Sequence, residues 1–369
     1  MNNNNVYGVV YAYHVHEDLG ELGKRRTAAA LPIYGRYRLI DFALSSLMDA
    51  GIFDVDVIMQ YGYQSLMDHI ANGRTWNMVR HSGGMHLRLA AATQGRYGGN
   101  MDALDAIYNR LRDDVKDEYI LLTRGDLSAN LDFAGFVEAH IASGADITAF
   151  CTKRPMPGAH IRFLTDENGM ATELLCRQVD HTQGVASLET YIMKRADLLE
   201  MIQWCAEGSH LHFHRHGLNH MMQKGLRVNT YLHDGYARFI TSVSDYYEAN
   251  MDMLDSRNRR LMFPEERRVA TRARSDVSTY YSDTAKVVDS LVADGCLIEG
   301  TVERSILFPG TRVEPGAVVR DCILLNDTVV KAGAELRYVI ADKNATLTAG
   351  INLTGNEKLP LVVPKGSTL

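Results

Sequence analysis

This sequence predicts an α/β, Rossmann-like domain followed by a C-terminal left-handed parallel β-helix, on two observations. From residue 6 to about 255, short apolar runs alternate with segments of helical spacing, the pattern of a largely parallel sheet covered by helices on both faces. After that, residues of similar size recur every sixth position, as in a hexapeptide β-helix whose coils bury their inward side chains against each other. The chain therefore divides into an α/β domain at 1–255, a charged linker at 256–285 and a β-helix at 286–369.

Val6-Tyr-Gly-Val-Val-Tyr is the first buried strand. Phe42 to Ala50 has the spacing of a helix that stops at Gly51, and Val55-Asp-Val-Ile-Met is the next strand. Leu104 to Leu111 again reads as helix. Tyr119-Ile-Leu-Leu-Thr is a buried strand running into Gly125-Asp126, and Ala145 to Cys151 is another. Ligands of such sheets bind beyond the carboxyl ends of the strands, which is where Gly125-Asp126 falls. The linker carries Arg259-Arg260 and Arg267-Arg268. In the repeat, Thr301, Leu307, Val313, Val319 and Leu325 form one series; Ser305, Thr311, Ala317, Ile323 and Val329 form the second. After a slip of one residue, Val330 and Leu336, with Ala334 and Ile340, continue the stack.

Composition excludes several classes. A net charge of −6 with 23% charged residues gives no basic excess for nucleic acid and no polybasic block for anionic lipid. No segment approaches the roughly 20 apolar residues of a membrane helix, and the polar Met-Asn-Asn-Asn-Asn start lacks a secretory core. Five scattered cysteines without a C-x-x-C pair read as reduced thiols. A cytoplasmic protein is expected.

Several long segments carry a resemblance. Leu31-Pro-Ile-Tyr-Gly-Arg-Tyr-Arg-Leu-Ile-Asp-Phe-Ala-Leu-Ser, Tyr247-Glu-Ala-Asn-Met-Asp-Met-Leu, and Val288 to Phe308 resemble glucose-1-phosphate adenylyltransferase, also called ADP-glucose pyrophosphorylase. Gln64 to Ile70 with Gly73-x-x-Trp76, Ala186 to Met193, and Pro360 to Gly366 look like the non-catalytic, D-type subunit found beside that enzyme in bacterial glycogen synthesis. The resemblance covers nearly the whole chain. It implies a nucleotidyltransferase-like first domain.

Nucleotidyl transfer needs a backbone cradle for phosphates, cationic clamps and metal-holding carboxylates. The family's enzymes place a glycine-rich loop after the first strand; here the stretch is Val10-Tyr-Ala-Tyr-His-Val-His-Glu-Asp-Leu-Gly. Its tyrosines and histidines occupy the space a triphosphate needs, and Glu17 and Asp18 repel it. The resemblance puts Ala28-Ala29 where the enzymes carry Lys-Pro. Of the two aspartates that would hold Mg²⁺, one survives as Asp126 in Thr123-Arg-Gly-Asp; Phe239 stands at the other position. Arg124 offers Asp126 an internal counter-ion, and the competing reading of Asp126 is a strand-end residue capping a turn. Glu173-Leu-Leu-Cys-Arg-Gln lacks the Glu-Lys-Pro of the sugar site. Glu189 replaces a small residue, so Glu189 and Tyr191 are at most a remnant of substrate binding. Cations matching Arg25, Arg26 and Arg38 bind regulatory phosphates in the resembling enzymes, and guanidinium groups suit that task. Their competing reading is solvated charge or pairing with Asp41 and Asp49.

Two further motifs invite other functions. The run Ser209-His-Leu-His-Phe-His-Arg-His-Gly, with His220, resembles a metal tract, but in an amphipathic helical region alternate positions do not converge. Hexapeptide acyltransferases use a histidine, and residues 286–369 contain none. The resemblance thus implies a subunit with no cofactor of its own. It would pair, in a heterotetramer, with a catalytic pyrophosphorylase subunit that uses Mg²⁺, and could take a phosphorylated effector. The competing functions are a weakly active enzyme with His14 or His16 replacing loop contacts, and a stand-alone sugar-phosphate or nucleotide sensor.

Overall fold

The computed structural model describes residues 5–14, 16–60, 62–80, 83–90, 100–176, 183–272 and 274–369. The chain forms two compact units, each discontinuous in sequence. The first comprises Met1–His14, Ile40–Phe239 and Glu265–Ala270; the second comprises Val15–Leu39, Ile240–Pro264 and Thr271–Leu369. These units cut the chain differently from the consecutive division at 255 and 286. The stretch read as a linker holds a helix, Ser256–Met262, and the first β-helix strand, Tyr280–Tyr281.

The first unit is built on a nine-stranded sheet: β1 (Val6–Tyr11), β2 (Val55–Met59), β3 (Met85–Leu89), β4 (Tyr119–Arg124), β5 (Ile147–Thr152), β6 (Arg162–Thr165), β7 (Ala171–Leu175), β8 (Val185–Lys194) and β9 (Val228–Leu232). The order is β7-β6-β8-β4-β1-β2-β3, with β5 also on β8 and β9 on β5. β1 lies between two parallel neighbours, β4 and β2, and all six of its residues are buried. A strand covered on both faces needs a continuous apolar run rather than alternation. Gly8 fits a tight spot there: a Cβ would lie 3.1 Å from Val55 Cγ2 and 3.2 Å from Leu47 Cδ2.

The sheet is mixed rather than largely parallel. β8 runs antiparallel to β4, β5 and β6, and β6 pairs antiparallel with β7. Helices complete the layers. Arg195–Glu207 buries Leu198, Met201, Ile202 and Cys205, one stripe at helical spacing. Phe133–Ser143 starts where the Asp132 side chain accepts from Gly135 N and stops at Gly144, whose φ is 59°.

The second unit carries the hexapeptide β-helix: three parallel sheets of five strands each. Its coils do not keep a strict period of six. Val302 pairs with Val319, which pairs with Leu336; Val313 pairs with Val330 and then Leu347. The buried core is Val302, Leu307, Val313, Val319, Leu324, Val330, Leu336, Ala341 and Leu347. One side of each triangle is therefore a residue short. Val302, Leu324 and Cys322 take core positions that a strict hexad assigns to Thr301, Leu325 and Ile323. The short corner needs left-handed backbone, and Arg304, Asp321 and Tyr338 have φ of 45°, 50° and 52° there. Gly316, Gly333 and Gly350 turn another corner with φ near 70°. Among the described residues, no helix is long and apolar enough to cross a membrane.

Candidate functional site

The strand-end site forms where β1 and β4 finish side by side, with Tyr11 in register with Arg124. Gly125 N–H donates to the Tyr11 carbonyl at 2.7 Å, so the chain turns directly after β4 and places Asp126, itself buried, beyond the end of the sheet. The next strand, Leu127–Ala129, pairs antiparallel with Ala237–Phe239, setting Phe239 opposite Leu127. This brings Asp126 and Phe239 together.

Arg124 fills the space between them. Its Nε and Nη2 donate to the two Asp126 oxygens, both at 2.8 Å. Its Nη1 lies 3.0 Å from Glu189 Oε2, and its guanidinium carbon is 4.7 Å from the Phe239 ring centre. His14 Nδ1 approaches Asp126 at 3.5 Å, and the Tyr13 ring lies 4.7 Å from that of His14. Arg124 is only 9% exposed and Asp126 1%. Burial works against charge on Arg124, but Asp126 and then Glu189 outweigh it and raise its pKa. Burial alone would raise the Glu189 carboxyl; Arg124, then His214 and His14, outweigh it and lower the pKa. Burial raises Tyr13 above the ordinary phenol range.

A bulge presents Glu189. The pairing of β8 with β5 shifts register between Ser187 and Thr190, and Glu189 sits at φ 51°, a conformation bulges impose beside functional sites. Ser187 Oγ accepts from Glu189 N at 3.0 Å and is 2.8 Å from Tyr191 OH. Tyr191, expected beside Glu189 as a substrate remnant, is 2% exposed and belongs to the hydrophobic core. Glu173 is exposed on β7; Arg177 and Gln178 of that segment lie outside the described residues, as does Val15 of the first loop. Ala28 and Ala29 are buried in a short 3₁₀ turn and offer only methyl groups.

Mg²⁺ takes hard oxygen ligands, one or two carboxylates with waters and phosphate. Both Asp126 oxygens are taken by Arg124, Glu189 shares the same guanidinium, and Phe239 offers a ring. These residues do not fit the ion. Among the described residues, no three of His, Cys, Asp or Glu are placed to hold a metal.

The histidine tract departs from the expectation that its alternate positions stay apart. The His210 and His212 rings lie 4.9 and 5.4 Å from that of His216. The chain passes through a π-helical turn, Phe213–Leu218, instead of a regular α-helix.

The second unit holds the anion candidates. Arg25, which is exposed, and Arg26, which is buried, line a cavity of about 110 Å³ with Glu21, Lys24, Asp342, Pro364 and Lys365. Arg26 pairs with Asp342. Asp41, named above as a possible partner for these arginines, lies 2.5 Å from His69 Nε2. Arg38 is half-buried on the short strand Tyr37–Arg38. Its charge reaches Lys343, whose pKa is pushed down to about 7 by burial, then by Arg38 and Arg26. Lys343 and Lys365 escaped the sequence reading. Lys365 lies in the quoted closing motif, whereas Lys343 sits in a β-helix corner with no local signal.

Residues 18–160 match the nucleotidyl transferase family model, and residues 275–359 match a GlmU-like C-terminal hexapeptide model. A glucose-1-phosphate adenylyltransferase of Geobacillus stearothermophilus is 30% identical over 298 residues, 79% of this chain and 77% of that protein. This chain belongs to the glucose-1-phosphate adenylyltransferase family. A glucose-1-phosphate adenylyltransferase of Bacillus cytotoxicus is 30% identical over 92% of this chain and 90% of its own length. The glycogen biosynthesis protein GlgD of Bacillus subtilis is 28% identical over 99% of this chain and 97% of its own. At the ends of β1 and β4 this member carries the Arg124–Asp126–Glu189 cluster.

Proposed function

We propose that this chain is a regulatory and structural subunit of ADP-glucose pyrophosphorylase in glycogen synthesis, itself catalytically degenerate. It would assemble, as a heterotetramer, with a catalytic subunit that uses Mg²⁺ to make ADP-glucose and pyrophosphate from ATP and glucose 1-phosphate. The observation that carries this reading is Arg124, bound to Asp126 and Glu189 where a metal and phosphate would sit. A cation tied to two carboxylates satisfies the site internally. The near full-length match to a GlgD protein supports the same reading. Arg25, Arg26 and Arg38, with Lys343 and Lys365, would take a phosphorylated effector in this subunit.

A second reading is weak adenylyltransferase activity, favoured by His14 beside Asp126. Assay of the purified chain with Mg²⁺, ATP and glucose 1-phosphate separates the two. The expected result is no turnover above that of Asp126→Ala. Turnover that Asp126→Ala abolishes would overturn the pseudoenzyme reading. Co-expression with the catalytic subunit tests the partnership: co-purification and a changed effector response are expected, and their joint absence would favour a stand-alone sensor.

A further inference from the structure

The cavity at Arg25 and Arg26 has an excess of cations. Lys24, Arg25, Arg26 and Lys365 line it against Glu21 and Asp342, and Glu21 is paired with Lys24. Arg38 adds positive charge nearby. A phosphate-like anion suits such a cluster. Yet the most sheltered guanidinium, Arg26 at 5% exposed, is bound to Asp342, itself 1% exposed. The Asp342 carboxylate is held for this contact: its Oδ1 accepts the Lys343 backbone N–H at 2.7 Å while Oδ2 meets Arg26. The one carboxylate oxygen on Arg26 takes the place that an oxygen of a phosphate would take on a guanidinium.

Resting on the reading of this cavity as an anion site, we infer that Asp342 is its built-in occupant, an internal competitor that an incoming dianion displaces from Arg26. Displacement costs the Arg26–Asp342 pair and leaves Asp342 facing the anion, so it sets the concentration at which an effector acts. It also couples occupancy to the β-helix corner at 342–345, because the oxygen that leaves Arg26 belongs to the carboxylate that holds Lys343 N.

Sulfate is the probe, since it does not titrate near neutrality. Asp342→Asn keeps an oxygen for Lys343 N and removes the charge; it should bind sulfate at least about tenfold more tightly than the wild type, a coupling of ordinary size. Hydrogen exchange of the wild-type chain gives a readout that needs no variant: saturating sulfate should speed exchange at the Lys343 amide. Equal or weaker binding by a folded Asp342→Asn, or a Lys343 amide that sulfate leaves unchanged or protects, would overturn the competitor role and leave the anion site standing. Absence of sulfate binding in both proteins would overturn the anion site and the competitor together.

Discussion

Arg124 holds two carboxylates together, donating to both Asp126 oxygens and lying 3.0 Å from Glu189. Arg124→Met should leave Asp126 and Glu189 charged and buried, and breaking a buried pair in this way costs about 3–5 kcal/mol. Urea unfolding reads this as a lower midpoint at unchanged slope. Adding Asp126→Asn and Glu189→Gln should restore much of the loss, since the three residues act as one network. A loss under about 1 kcal/mol for Arg124→Met would mean that water already shares the cluster. Lys343 makes the opposite case. Its folded pKa of about 7 lies below the ordinary 10.5, so between those values the unfolded chain binds more protons than the folded one. Stability contributed by this group therefore rises with pH across that window. Lys343→Met should stabilise the chain at pH 6, by an amount that shrinks above pH 7 and vanishes near 10.5; thermal melts across pH test this. The Arg124–Asp126 pair was legible because its members stand two apart at a strand end. The part played by Glu189 was not, because it depends on a bulge in a strand remote in sequence, and bulges leave no periodic trace.

The β-helix shows the same division between elements. Its existence was legible, since inward residues recur at nearly even spacing and stacking buries them only against neighbouring coils. The length of each side was not, because Leu324-Leu325 and Ile323 are all apolar and all fully buried, so composition cannot choose among them. The corners choose: left-handed backbone at Arg304, Asp321 and Tyr338 shortens one side of every coil. The cost of such corners can be measured at Gly333, where φ is 69° and an added Cβ would meet nothing within 4 Å. Gly333→Ala should destabilise by about 1–2 kcal/mol from left-handed backbone alone. Gly333→Asn should cost clearly less, because asparagine tolerates that conformation. Equal losses for the two variants would point to a steric cause instead. In the sheet, the parallel β1, β2 and β4 were legible from the alternation of strand-like and helix-like segments. The antiparallel β8 was not, since direction is set by which neighbour pairs with it and not by its own residues.

For the whole molecule, the proposed reading of this chain as a subunit without turnover lets it act on a partner only through binding energies, and binding energies are reciprocal. If an anion at the Arg26 cavity raises the partner's affinity for ATP, ATP bound by the partner must raise the anion's affinity by the same factor. Coupling of this kind is typically about 5–150-fold. The heteromer should therefore bind sulfate more tightly in the presence of a non-hydrolysable ATP analogue and Mg²⁺ than in their absence, while the isolated chain should show no such dependence. Titration calorimetry on both preparations measures the two affinities. Arg26→Gln in this chain should abolish the dependence without changing the partner's own affinity for the analogue when sulfate is absent. A dependence that survives Arg26→Gln would place the coupled anion on the catalytic subunit, and this chain would then serve the assembly as scaffold rather than as sensor.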